Sequence, residues 1–234
     1  MLWIALTLPE LSLQIAERGS DASHPLVISS GPDTRPFVFA ANQSAQLAGI
    51  HRGTTIASAR TLANDLRVVQ RQAEYERDAM HNFACWASQF TPNLTLKQDE
   101  GLVLEVESTL RLHGGLGALL NKLKMGTDQL GYHVECGVAP TPLAAWLFAK
   151  AREQGLRVRA CTNVNELESR TAQLPLTLFD WPQETLRKLS ALGITRIADC
   201  LALPADGFSK RFGPDLWLDL QRLLGRLPDP RAYF

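Results

Sequence analysis

A chain of 234 residues sets a prior of about one and a half domains, so one elaborate domain or two small ones. With 45% apolar and 21% charged residues, a mainly disordered or low-complexity chain is excluded and an ordinary globular protein is expected. Lys+Arg and Asp+Glu each count 24, which argues against a grip on nucleic acid by bulk charge and leaves binding that is local, weak or supplied by a further segment.

Trp3 to Leu8 is a short apolar run of the kind that forms a buried strand, and Leu11, Ile15 and Ala16 after Pro9 have helical spacing. Pro25 to Ser30 and Phe37 to Ala41, separated by turn formers, predict a hairpin. Residues 42–67 predict two short helices around Gly49-Ile50-His51-Arg52-Gly53. Met80, Phe83, Ala84, Ala87 and Phe90 mark one face of a helix over about 72–90. Leu94 to Leu96 and Leu102 to Val106 predict two strands, Leu116 to Leu123 a helix, and Val134 to Val138 another strand. Thr141-Pro142 opens a further helix, with proline where its missing N–H costs nothing. Arg157 to Cys161 predicts a last strand. Short strands interleaved with helices point to an α+β sheet covered on one face. From about 167 the pattern is helical only: Glu184 to Leu192, Ile194 to Leu203, and a helix marked by Leu216, Leu220, Leu223 and Leu224. Leu227-Pro228-Asp229-Pro230-Arg231 has the texture of an extended linker, from which a natural protein is expected either to continue or to have lost what followed.

Cys85, Cys136, Cys161 and Cys200 lie far apart, without knuckle or dithiol spacing, and fit buried reduced thiols. The amino terminus lacks a basic segment and no apolar run reaches the ~18 residues of a span, so a cytoplasmic protein is expected. The histidines show no HExxH spacing and no GxSxG elbow exists, so neither metal hydrolysis nor nucleophilic catalysis is indicated. Gly114-Gly115-Leu116-Gly117 fits a tight helix entry better than a phosphate cradle.

Three features could carry function. Leu192-Gly193-Ile194 between two helices resembles the hairpin of a helix-hairpin-helix unit, whose backbone N–H groups can face a phosphate. Gly193, Ile194 and Arg196, with Lys210 and Arg211, form the candidate DNA-facing set; a plain helical hairpin capped by glycine would look the same. Asp99, Glu100, Glu105 and Glu107 cluster near two strands, with Glu105 and Glu107 expected on one face. They would suit two-metal chemistry if they converged and would otherwise be solvent-facing acids. Gln173-Leu174-Pro175-Leu176-Thr177-Leu178-Phe179 loosely resembles the peptides that dock on the bacterial sliding clamp; it could equally be an apolar connection, Gln173, Leu174, Leu176, Leu178 and Phe179 being its key positions.

Taken together these segments resemble the core of a Y-family DNA polymerase of the UmuC/DinB superfamily. Val106-Glu107-Ser108-Thr109-Leu110-Arg111-Leu112-His113-Gly114-Gly115 is similar to the family's Val-Thr-Gly-Ser-x-Arg-Leu-Phe-Gly stretch. Gly137-Val138-Ala139-Pro140-Thr141-Pro142-Leu143-Ala144-Ala145 is similar to Gly-Ile-Ser-x-Asn-Lys-x-Leu-Ala. Ala48-Gly49-Ile50-His51-Arg52-Gly53 resembles the fingers motif, and Leu192 to Pro204 with Arg211-Phe212-Gly213 resembles the thumb. The resemblance implies a ferredoxin-like palm sheet (1–18 and 71–166), a small α/β fingers insertion (19–70), an all-α thumb (167–228) and the start of a linker (229–234), with the little finger absent.

The departures shape the functional expectation. Active members carry Asp-x-Asp on the first strand, where Leu6-Thr7-Leu8 stands here. Their fingers Tyr and Arg match Gln43 and Gln46, and two lysines match Pro142 and Trp146. Their Asp-Glu pair falls at Glu100-Gly101 or, one residue earlier, at Asp99-Glu100. The pattern is similar to the catalytically inactive, ImuB-type branch. It implies a scaffold for DNA repair, damage-induced (SOS) mutagenesis and translesion synthesis, joining the sliding clamp, a RecA-like accessory protein and an error-prone C-family polymerase. No cofactor is then expected. The alternative is an active error-prone polymerase in which Glu100, Glu105 and Glu107 hold Mg²⁺.

Overall fold

The computed structural model describes residues 1–18, 23–97 and 100–234. A four-stranded antiparallel sheet is built from β1 (Trp3–Thr7), β5 (Leu94–Lys97), β6 (Gly101–Glu105) and β7 (Glu135–Ala139), in the order β5-β6-β1-β7. β1 lies between β6 and β7, with Thr7 opposite Gly101 on one side and Glu135 on the other. Leaving out what is inserted after β1, the chain runs strand, helix, strand, strand, helix, strand, with α4 (Ala73–Ala87) and α6 (Leu116–Gln129) as its two helices. This is the ferredoxin-like arrangement.

Both faces of this sheet are covered, not one. Ile4, Leu6, Leu102 and Leu104 pack with Met80 and Phe83 of α4 and with Leu119 and Leu123 of α6. On the other face Trp3, Ala5, Val103 and Ala139 pack with α7 (Pro142–Glu153). Burial on both sides explains why β1 is continuously apolar instead of alternating. Gly137 lets α7 lie directly on β7: a Cβ there would sit 2.1 Å from the Ala145 carbonyl oxygen. Thr141 caps α7 by accepting from the Ala144 N–H and donates its hydroxyl to the Leu223 carbonyl, so one side chain starts this helix and ties it to the last one.

Between β1 and α4 stands a second sheet of order β3-β2-β4: β2 (Leu26–Ser30), β3 (Phe37–Ala41) and β4 (Arg67–Gln70). β2 and β3 form the predicted hairpin, and β4, which the sequence pattern did not reveal, adds in parallel to β2. α2 (Gln43–Leu47) and α3 (Ile56–Leu62) are the two short helices. Buried Asn42 is the joint of this unit. Its Oδ1 accepts from the Leu26 and Ala45 N–H groups, and its Nδ2 donates to the His24 carbonyl and to Glu17 of α1 (Leu11–Glu17).

The remainder is helical: α5 (Leu110–His113) precedes α6, and α8 (Leu167–Thr171), α9 (Gln183–Ala191), α10 (Ile197–Leu201), α11 (Ala205–Phe212) and α12 (Pro214–Leu223) follow α7. Their apolar faces join α7 in one continuous core. The strand expected at Arg157 to Cys161 does not form. Arg157 and Arg159 are exposed, only Cys161 is buried, and the Cys161 N–H to Val138 carbonyl bond is the one backbone bond from this segment to β7 among the described residues. Of the four thiols expected to be buried, Cys161 and Cys200 are, Cys136 is partly so, and Cys85 is exposed instead. Burial pushes the Cys200 thiol up to about 12, with Asp199 adding to it, so it stays protonated.

Candidate functional site

The candidate acids do not converge. β6 ends at Glu105, and Glu107 opens a 3-10 turn instead of continuing the strand, so the two do not share a strand face. The Glu105 carboxylate makes that turn: it accepts from the Glu107 N–H and the Ser108 hydroxyl. Glu107 pairs with the amino terminus of Met1. Glu100 lies at the opposite end of β6, about 16 Å from Glu105 at ~3.3 Å per residue. Asp99 lies outside the described residues.

The strand that should supply the first anchor is closed. Leu6, Thr7 and Leu8 are all buried, and the Thr7 hydroxyl has no hydrogen-bond partner. Opposite Thr7 stands Gly101, where a Cβ would lie 2.2 Å from the Leu6 carbonyl oxygen and 2.9 Å from Thr7 Cα. No side chain fits there without moving backbone. Among the described residues no group of three His, Cys, Asp or Glu is arranged to hold a metal ion. Hard divalent cations need several converging oxygens. The described residues therefore do not fit the Mg²⁺ that an active polymerase would use.

A cleft of about 980 Å³ opens between the two sheets and carries charges that pair with one another. Arg71 clamps Glu76 of α4 through two guanidinium nitrogens, at 2.9 and 2.6 Å, and its guanidinium lies 4.1 Å from the Phe39 ring centre. Lys97 on β5 reaches Asp180 at 3.2 Å, linking the sheet to the segment before α9. Lys150 on α7 lies 3.1 Å from Glu153 and 3.6 Å from Glu100. The buried Trp146, one turn earlier on α7, has Lys97 Nζ 5.3 Å and Lys150 Nζ 6.0 Å from its ring centre. Glu10 borders the same cleft with its backbone left-handed at φ 52°. Burial raises the Glu10 carboxyl above its usual range; Arg52 opposes this, Glu153 adds to it and Lys150 opposes it. None of Glu10, Lys97, Lys150, Glu153 or Asp180 stood out by motif. Only the Lys150 and Glu153 pair, three apart on one helix, left a sequence signal. Gln43 and Gln46 sit on exposed positions of α2, and the Gln46 amide donates to the Ala41 carbonyl.

The helical hairpin is well formed and internally satisfied. Gly193 is left-handed at φ 77°; its N–H bonds the Ser190 carbonyl, and the Ile194 N–H bonds the Leu189 carbonyl. This closes α9 in the manner of a glycine C-cap. The next two donors, Thr195 N–H and Arg196 N–H, both bind Asp199 Oδ2 at 2.9 Å. Those backbone N–H groups hold the Asp199 carboxyl below its usual range. A carboxylate of the chain itself thus occupies the place that a phosphate could take. Lys210 and Arg211 are exposed in the last turn of α11.

The Gln173 to Phe179 segment lies inside the fold. Leu174, Leu176, Leu178 and Phe179 are all buried in the core shared by α7 and the later helices. Its backbone is stitched to the hairpin by Leu176 N–H to Thr195 O and Ile197 N–H to Leu174 O. Arg196 Nη1 donates to Gln173 Oε1, so a residue of the DNA-facing set and one of the clamp-like peptide hold each other.

Comparison with known proteins agrees with this architecture. The model of the impB/mucB/samB family (IMS) matches residues 13–150. The chain is 29% identical over 177 residues to Protein ImuB of Caulobacter vibrioides (strain NA1000 / CB15N), covering 76% of this chain and 38% of that protein. It is 25% identical over 207 residues to DNA polymerase IV of Dehalococcoides mccartyi (strain CBDB1), covering 87% of this chain and 52% of that protein. The chain therefore spans between two fifths and about half of these relatives. The crystal structure of DinB from Sulfolobus solfataricus superposes with a TM-score of 0.78 at 19% identity, over 100% of this chain and 70% of that one. A Y-family DNA polymerase chimera, Dbh-Dpo4(243-245)-Dbh, gives 0.80 at 19% identity over 99% of this chain and 70% of its own. With a family match over more than half its length, the chain belongs to the impB/mucB/samB family and carries the α+β core fold of a Y-family DNA polymerase.

Proposed function

We propose that this protein is a non-catalytic, polymerase-shaped accessory factor of DNA repair and translesion synthesis. The palm is its structural platform and the thumb a weak, salt-sensitive contact to the DNA backbone. One observation carries the loss of catalysis. Where β1 and β6 run side by side, the register sets Thr7 against Gly101, with leucines on either side of Thr7 and no room for a side chain at 101. Phosphoryl transfer relies almost wholly on charge stabilisation by metal ions and positioned cations. This junction offers neither. The likeness to Protein ImuB supports an accessory role, and the family supports the repair context. Sliding clamp, RecA-like accessory protein and error-prone C-family polymerase remain the partners that the resemblance brings.

The weak DNA contact rests on Gly193, Ile194, Arg196, Lys210 and Arg211. From residue 184 onward Lys+Arg exceed Asp+Glu by eight to six, a surplus that suits loose phosphate binding. The test is primer extension with Mg²⁺ and then Mn²⁺, beside an active Y-family polymerase. No added nucleotide is expected. Template-dependent extension that disappears in Glu100→Ala and Glu105→Ala would overturn the proposal and restore an enzyme with an unusual metal site. For the DNA contact, affinity indifferent to ionic strength or to Arg196→Ala and Lys210→Ala would overturn the thumb assignment.

A further inference from the structure

The cleft between palm and fingers holds more acid than base. Among the described residues five carboxylates line it, from Glu10, Glu76, Glu100, Glu153 and Asp180, against four cations, from Arg52, Arg71, Lys97 and Lys150. Arg71 is committed to Glu76 and Lys97 to Asp180. That leaves Glu10, Glu100 and Glu153 with Arg52 and Lys150: the Lys150 ammonium touches Glu100 and Glu153 at 3.6 and 3.1 Å, while Arg52 lies over the Phe39 ring and acts on Glu10 from a distance. Two parts of the fold meet at this nitrogen: α7 carries Lys150 and Glu153, and Glu100 stands just before β6; Glu10, at the N-cap position of α1, borders the same cleft. The backbone joins them as well, since Leu8 N–H donates to the Glu100 carbonyl. The ammonium is mostly sheltered, at 24% side-chain exposure, and Glu153 more so at 16%.

We propose that Lys150 is a built-in cation that replaces a divalent metal in this cleft, neutralising Glu100 and Glu153 and excluding metal ions from them. The inference rests on the non-catalytic reading above and extends it. Glu100 and Glu153 keep their carboxylates in the cleft, and the covalently attached ammonium between them supplies the positive charge that a divalent cation would otherwise bring. The ammonium reaches its partners from a helix packed flat on the sheet, where Gly137 lets Ala145 and Ala149 touch β7, so its position is fixed by the core. Burial alone would lower the Lys150 pKa, but Glu153 and then Glu100 outweigh it by Coulomb attraction and hydrogen bonding, and the net shift is upward. The group therefore stays charged throughout the neutral range. A nucleoside triphosphate, itself strongly anionic, meets a cleft in which Arg71, Lys97 and Lys150 are already paired with carboxylates and the described lining carries one more acid than base.

The experiment uses the full chain and Mn²⁺ alone as probe, followed by loss of the free-ion electron paramagnetic signal at pH 7.5. Wild type is expected to show no site tighter than about 1 mM, the weak end for protein oxygen sites. Lys150→Met should gain a site at least tenfold tighter, and Mn²⁺ should raise its Tm but not that of wild type. Lys150→Arg should behave as wild type, and adding Glu100→Gln to Lys150→Met should abolish the gained site. Equal Mn²⁺ affinity in wild type and Lys150→Met would overturn the proposal. Wild type alone can also overturn it, without any variant that must fold: a Mn²⁺ site whose paramagnetic broadening falls on Glu100 and Lys150 is incompatible with an ammonium lodged there. Polymerase activity does not enter this readout, so the metal question and the catalytic one fail separately.

Discussion

Thr7 stands directly opposite Gly101 across the β1–β6 ladder, fully buried, with a hydroxyl that bonds to nothing. The two positions leave one unsatisfied polar atom and no space. Thr7→Val, which keeps the shape and removes the hydroxyl, should stabilise the fold by about 1 kcal/mol. Gly101→Ala should destabilise it by about 2–3 kcal/mol, because the new Cβ would press on the Leu6 carbonyl within the sheet. Urea unfolding midpoints of the two variants should move in opposite directions.

Glu10 supplies a pH test. Its folded pKa lies above the unfolded value of 4.5, first through burial. The fold thus favours the protonated carboxyl. The associated stability is complete below pH 4.5 and is lost as pH rises through the folded value. At pH 7 the ionised carboxylate weighs against the fold. Glu10 is exposed to solvent, which screens the effect, so Glu10→Gln should be more stable than wild type at pH 7 by only about 0.3 kcal/mol, with the difference closing below pH 4.5. Glu10→Gly should gain up to about 1 kcal/mol more, since φ 52° suits glycine. Melting curves between pH 4 and pH 8 check both.

Asp199 has the opposite sign. Its carboxylate caps α10 through the Thr195 and Arg196 N–H groups, and its pKa is lowered from 3.8. Its contribution is present above pH 3.8 and is lost as pH falls through the lower folded value. Asp199→Ala should cost about 1 kcal/mol, the usual worth of a helix cap. It also frees two backbone donors and removes a negative charge beside Arg196. DNA affinity at low salt should rise, with a steeper salt dependence, as measured by fluorescence anisotropy. Unchanged affinity would place the DNA contact away from this hairpin.

The sequence was most legible where one period ruled a whole element. The spacing in α4, the Thr141-Pro142 opening of α7 and the β2–β3 hairpin all form where the pattern put them. β4 escaped because four residues with exposed ends carry little period, and its pairing with β2 joins segments 41 residues apart. The expected strand at 157–161 failed because its arginines prefer water to a sheet edge. Alternation also misplaced Glu107: the Glu105 side chain turns the chain at that point, which ends the strand. The cleft charges were least legible. Lys97, Glu100, Lys150 and Asp180 come from four separate stretches, and only tertiary packing brings them into pairs.

Phe179 decides how the Gln173 to Phe179 segment works. It is 5% exposed and stacks on Trp181 with ring centres 4.3 Å apart and planes at 17°. Leu178 beside it is also buried, and Leu176 N–H is bonded to the hairpin. For these side chains to enter a pocket on another protein, the core between α7 and the later helices would have to open. Phe179→Ala should then cost about 3–5 kcal/mol of fold stability, the range of a buried aromatic truncation. A solvent-exposed docking peptide would lose almost none, so the unfolding free energy distinguishes the two roles. Binding of a purified bacterial sliding clamp to the folded chain should likewise be unaffected by Gln173→Ala, because Gln173 is engaged by Arg196. If clamp binding occurs and depends on Gln173 or Phe179 while the fold is unperturbed, the segment must leave the core to act.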